Sequence, residues 1–141
     1  MLCSGCTLKS AEKNSVTVDC AVDNSGKSLR AGKFDYVLLN PPYVVTTSEE
    51  LRESQKKQDL SASWSGGNQG TELLFSSLLR NALELLSRSG CLYLIAIREN
   101  VLEDIRDFLK DKGYSMEIVI ERKAGREYLY LLKVFIVLLN E

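Results

Sequence analysis

An apolar run, Tyr36-Val37-Leu38-Leu39, that stops abruptly at Asn40-Pro41-Pro42-Tyr43 constrains the fold more than any other feature of the chain. Val37, Leu38 and Leu39 are continuous and not alternating, which is the pattern of a strand buried in a parallel sheet. Two prolines end that strand. Neither carries an N–H and both fix φ, so the backbone leaves the sheet stiffly with its carbonyls free to accept hydrogen bonds.

That strand end suits one kind of chemistry. An amide or aromatic amine nitrogen is a poor nucleophile because its lone pair is delocalised, so a site that alkylates it must hold both N–H groups while the lone pair turns outward. The Asn40 side-chain oxygen and the Pro41 carbonyl are suited to hold them, and Tyr43 offers a flat face for stacking. No general base is needed. The plainer alternative is that Asn-Pro-Pro is only a turn after a strand.

At 141 residues and 45% hydrophobic content the chain fits one folded domain. A net charge of −1 supplies no basic field, which argues against strong nonspecific nucleic-acid binding. Leu129 to Leu139 is the most apolar stretch, yet it is too short to span a bilayer and Lys133 interrupts it. The first residues lack the charged start and long apolar core of a signal peptide, so a cytoplasmic or nuclear location is expected. Cys3-x-x-Cys6 has the spacing of half a zinc site or of a redox pair, but no second pair completes a zinc site and the chain has no histidine, so no metal is expected.

Further along, Thr46 to Ser63 is polar and charged and reads either as a mobile lid with Trp64 as its anchor or as a solvated loop with a short helix. Gly66, Gly67 and Gly70 follow this polar stretch and not a strand, so they fail the context test for a dinucleotide-type loop. Leu74, Leu78, Ala82 and Leu85 recur at helical spacing, with Ser89-Gly90 as the expected stop before a strand from Cys91 to Ile97. Glu99 and Asn100 then fall at a carboxyl sheet edge. Asn100 reads as the N-cap of a helix that buries Leu102, Ile105, Phe108 and Leu109, with Glu103 as capping-box partner and Gly113 as the stop. Met116 to Glu121 and Tyr128 to Leu138 read as an antiparallel hairpin around a basic turn.

Taken together these residues resemble the HemK-like glutamine methyltransferases, and more closely the eukaryotic branch that modifies a peptide-release factor. Phe34 to Val45 looks like the family's fourth strand and catalytic loop, and Trp64-Ser65-Gly66-Gly67-Asn68-Gln69-Gly70 looks like its Trp-x-Gly-Gly-x-x-Gly segment. Ile97-Arg98-Glu99-Asn100 is similar to the end of its fifth strand, and Asn14 to Asp23 to its third. The resemblance implies an α/β, Rossmann-like class I methyltransferase sheet, comprising strands three to seven with an antiparallel C-terminal hairpin. It implies S-adenosylmethionine as cofactor and transfer of its methyl group to the glutamine amide of a Gly-Gly-Gln loop in a release factor. Asn40, Pro41 and Tyr43 would be catalytic, Pro42 would join them in holding the substrate, and Asp23 and Asn40 would touch the cofactor. A small zinc-binding activator protein is the implied partner.

The chain departs from the family pattern in having no glycine-rich loop between a first strand and a first helix, and no second strand with its ribose-binding acid. Residues 1–141 are therefore expected to be one partial domain, with those pieces lying before Met1. The third strand, near Val16 to Val22, would be left without a neighbour, and the strand ending at Asn40 would become an apolar edge. Two other readings stay open: methylation of an adenine amino group in nucleic acid, with the flipped base on Tyr43, and a non-catalytic form that binds the activator. A lysine substrate fits less well, because a protonated amine gains little from paired carbonyl acceptors.

Overall fold

The structure is a computed structural model and describes residues 2–21, 23, 25–57 and 60–137. Its centre is a four-stranded mixed sheet built from β1 (Phe34–Leu39), β4 (Leu86–Ile97), β5 (Tyr114–Ala124) and β6 (Glu127–Ile136), in the order β1-β4-β6-β5. The short strands β2 (Val44–Val45) and β3 (Ser65–Gly67) pair separately. β1 and β4 are parallel, with Val37 opposite Leu92 and Leu39 opposite Leu94, whereas β6 runs antiparallel to both β4 and β5. This is the expected α/β sheet with its C-terminal hairpin.

Helices α3 (Leu79–Leu85) and α4 (Leu102–Lys110) cover one face of that sheet. Leu79, Leu83, Ile105 and Leu109 pack there against Leu92, Leu94, Leu132 and Val134, with Val37 and Leu39 at the margin. Burying each such aliphatic side chain contributes roughly 1.5–3 kcal/mol. The other face is different. Tyr36 and Leu38, of opposite parity on β1, are 68% and 81% exposed, and Tyr93 and Ile95 on β4 are only half-buried. The continuous apolar run is thus buried on one side, and among the described residues β1 pairs with β4 alone, as an edge strand.

Several local expectations need correction. Residues 16–21 form no strand, and Val22 lies outside the described residues; an extended segment without a paired backbone neighbour has no ladder to join. Upstream, α1 (Leu2–Lys13) was not anticipated. Asn14 closes it by donating its side-chain amide to the Ser10 carbonyl at 2.8 Å, and Ser15 turns left-handed at φ 54°. Ser89-Gly90 does not end α3, which stops at Leu85; Gly90 lies within β4, where a Cβ would sit 2.7 Å from the Phe34 carbonyl oxygen. That close strand approach, not a helix stop, is what the glycine serves. Asn100 is not the N-cap of α4. Val101 occupies that place at φ 44° without a side-chain cap.

Between the sheet elements, α2 (Ser48–Lys57) runs over part of the segment read as a lid or loop. Thr47 and Glu50 form a capping box: the Thr47 N–H donates to Glu50 Oε2 at 2.8 Å and the Glu50 N–H donates to Thr47 Oγ1 at 3.1 Å. Leu51 and Ser54 are buried on its inner side. The helical stretch before α3 opens with a π-helical turn, Leu74–Leu78. No helix among the described residues is long and apolar enough to cross a membrane.

Candidate functional site

β1 and β4 both end at the same sheet edge, and the proline loop leaves from there. Asn40 is exposed, Pro41 is buried, and Pro42 and Tyr43 are half-buried. The four residues expected to act together are contiguous and lie between β1 and β2. β2 then pairs in parallel with β3, the Val44 N–H donating to the Trp64 carbonyl at 2.9 Å and the Thr46 N–H to that of Gly67 at 3.1 Å. This pairing brings the glycine segment onto the loop.

The contact is so close that only glycine fits. A Cβ at Gly66 would lie 2.4 Å from the Gly70 carbonyl oxygen and 2.7 Å from that of Pro42, and one at Gly70 would lie 2.1 Å from the Tyr43 carbonyl oxygen. At Gly67 a Cβ would meet Glu72 and Leu51. The three glycines sit where neighbouring groups leave no room for a Cβ. They also make no open cradle for the methionine part of a methyl donor, and no glycine-rich strand-to-helix turn occurs among the described residues. The described residues therefore do not fit the donor's tail.

Asn100, left as a helix cap by the sequence, is the residue that joins the parts. It is 2% exposed, and its side chain donates to the Tyr43 carbonyl at 3.1 Å and to the Gln69 carbonyl at 3.0 Å. Its Oδ1 accepts the Ile97 N–H at 2.8 Å. The end of β4, the proline loop and the glycine segment are therefore tied to one carboxamide. A clue was present in the sequence, an Asn at a carboxyl sheet edge, but capping explained it sufficiently. Glu72 adds a second tie, accepting from Ser48 Oγ at 2.8 Å and from the Asn68 N–H at 3.3 Å. Those bonds, with Ser48 the larger cause, hold its carboxyl below the usual range and keep it charged.

Asp23 takes hydrogen bonds from the N–H and the hydroxyl of Ser28 within its own turn. Trp64 is 48% exposed and borders a groove of about 250 Å³ with Thr46, Glu50, Glu53, Ser54 and Ser65. Among the described residues no group of three or more His, Cys, Asp or Glu could hold a metal ion, and the Cys3 side chain lies outside the description.

Comparison with known proteins bears on what this edge does. The family model described as Eco57I restriction-modification methylase matches residues 7–124. The chain belongs to that methylase family. Within it, the resemblance to HemK-like enzymes is borne out: human methyltransferase HEMK2 is 35% identical over 135 residues, covering 92% of this chain and 60% of that protein. The eRF1 methyltransferase catalytic subunit mtq2 of Schizosaccharomyces pombe is 34% identical over 101 residues, covering 72% of this chain and 42% of that protein. Among solved structures, the E. cuniculi Mtq2–Trm112 complex, described as responsible for methylating the eRF1 translation termination factor, matches with TM-score 0.62 and 26% identity. That match covers 91% of this methylase-family chain and 68% of the other. The chain thus spans 60% or less of the length of these two curated relatives.

Proposed function

We propose that this chain carries the acceptor half of an S-adenosylmethionine-dependent N-methyltransferase whose substrate is the glutamine amide of a Gly-Gly-Gln loop in a release factor. The observation that carries this reading is Asn40-Pro41-Pro42-Tyr43 at the shared carboxyl edge of β1 and β4, held from behind by Asn100. In this reading the Asn40 side-chain oxygen and the Pro41 carbonyl accept the two amide N–H groups, Pro42 stiffens the loop, and Tyr43 stacks on the amide plane. Fixing the amide so, with its lone pair turned outward, is a contribution of orientation. Asp23 and Asn40 are the proposed contacts to the cofactor, which supplies the methyl group. The cofactor's tail requires groups that the described residues lack.

Relatives support this substrate: the S. pombe mtq2 subunit and the E. cuniculi Mtq2–Trm112 complex methylate eRF1, and the similar MJ0928 protein of Methanocaldococcus jannaschii is described as a putative protein N5-glutamine methyltransferase. The Mtq2 neighbour is solved with Trm112, which supports a partner for this chain too; we take it to be a small zinc-binding activator. A cytoplasmic or nuclear site of action belongs to the same reading.

A second reading, methylation of an adenine amino group, has one observation in its favour, the restriction-modification description of the matching family. The net charge of −1 weighs against it. Labelled methyl transfer from S-adenosylmethionine, with and without activator, to a Gly-Gly-Gln protein and to an oligonucleotide separates them. Label in the protein, reduced ~10²-fold by Asn40→Ala, is the expected result. Label in the oligonucleotide alone would transfer the case to adenine. Activator binding without cofactor binding would identify a non-catalytic form.

A further inference from the structure

We propose that Asn100 is a positioning residue for the acceptor loop, acting through the Tyr43 carbonyl to leave only the Asn40 carboxamide and the Pro41 carbonyl free for a substrate amide. The inference rests on the glutamine reading above and concerns how the loop selects its two acceptors. The acceptors beside the substrate position in this reading are the Asn40 side-chain Oδ1 and the carbonyls of Pro41, Pro42 and Tyr43. The Tyr43 carbonyl is taken by Asn100 at 3.1 Å. The Pro42 carbonyl is packed against Gly66, where it would stand 2.7 Å from a Cβ. Among the described residues neither the Asn40 carboxamide nor the Pro41 carbonyl is engaged by a side chain or by loop backbone. The two acceptors that remain are adjacent in sequence and the loop between them is a proline, so their spacing is stiff.

Asn100 is suited to this by chemistry as well as by place. Its amide nitrogen carries two hydrogens and both are used, one on Tyr43 and one on Gln69, while its oxygen takes the Ile97 N–H. Asp has the same shape and no donor when ionised, so it would turn a carboxylate toward two carbonyl oxygens. The loop would then be pushed away from the end of β4. Gly70 marks the same contact from the other side, since a Cβ there would also stand 2.5 Å from Asn100 Nδ2.

The test compares the wild type with Asn100→Asp, Asn100→Ala and Asn40→Ala, reading amide hydrogen exchange by NMR and the affinity for a blocked Gly-Gly-Gln peptide. For Asn100→Asp the amides of Val44 and Thr46 are expected to exchange at least about tenfold faster, with the Leu94 and Leu132 amides unchanged, and peptide affinity is expected to fall at least about tenfold. Asn40→Ala should lose the peptide and keep the exchange rates. If Asn100→Asp does not fold, Asn100→Ala, which removes both donors and adds no charge, is read by the same criteria. Unchanged exchange and affinity would overturn the inference, and so would protection lost throughout β4 and β6 in both variants, which is the mark of a merely structural residue. Peptide affinity indifferent to Asn40→Ala would overturn the glutamine reading itself, and the exchange rates would still decide whether Asn100 holds the loop.

Discussion

At Gly66 the backbone of the glycine segment meets the proline loop with no room for a methyl group, the nearest oxygen being 2.4 Å from an added Cβ. Neither neighbour is a flexible side-chain end, so Gly66→Ala must move backbone, and it is expected to cost about 1–3 kcal/mol in urea unfolding. Gly5 is the counter-case. It lies inside α1 with nothing within 4 Å of an added Cβ, so Gly5→Ala should stabilise by about 0.5–1 kcal/mol in the same assay. At this scale the sequence was half legible. Asn40 to Tyr43 stood out because two prolines after an apolar run have few uses. Gly66, Gly70 and Asn100 stood in segments that matched the family, but their contacts were not legible, because they pack against backbone from segments up to 57 positions away and nothing local records such a contact.

For the elements, α2 shows what local chemistry does and does not reveal. Its capping box, Thr47 with Glu50, is written in four consecutive residues, yet the charged stretch around it read equally as a mobile lid. In the structure α2 is docked through Leu51, buried against Gly67, and through the Ser48 bond to Glu72. Thr47→Ala should weaken the helix start by about 1 kcal/mol, visible as faster exchange of the α2 amides. Acid should act in the same direction. The Thr47 N–H and hydroxyl lower the Glu50 pKa below its ordinary value of 4.5, and Glu72 is lowered by Ser48 and Asn68. A carboxyl whose folded pKa is depressed adds stability that is complete above the unfolded value and is lost as pH falls through the folded one. Protection of α2 should therefore be constant above pH 4.5 and decline below it; a helix that loosened only toward alkaline pH would contradict the assignment. The hairpin β5–β6 was the most legible element, since its turn and its apolar strands are adjacent in sequence.

The whole molecule has one sheet face covered by α3 and α4 and another on which Tyr36 and Leu38 meet solvent beside the unpaired edge of β1. The apolar run of β1 was read as a strand buried in a parallel sheet; it is such a strand, but among the described residues only its Val37 and Leu39 side is covered. Relatives that share this region are longer, with the chain matching 60% of HEMK2. An apolar edge strand with free N–H and C=O groups is a template for further pairing. The chain by itself should therefore associate with rising concentration in sedimentation velocity. Leu38→Lys tests the source of that association: the side chain is 81% exposed, so the substitution should leave unfolding within about 0.5 kcal/mol of wild type, while a charge on the edge opposes pairing. Association reduced at equal stability would locate the sticky surface at β1. Association unchanged by Leu38→Lys would place it elsewhere, with the exposed Ile118, Val119 and Ile120 on β5, at the opposite edge of the sheet, as the next positions to charge.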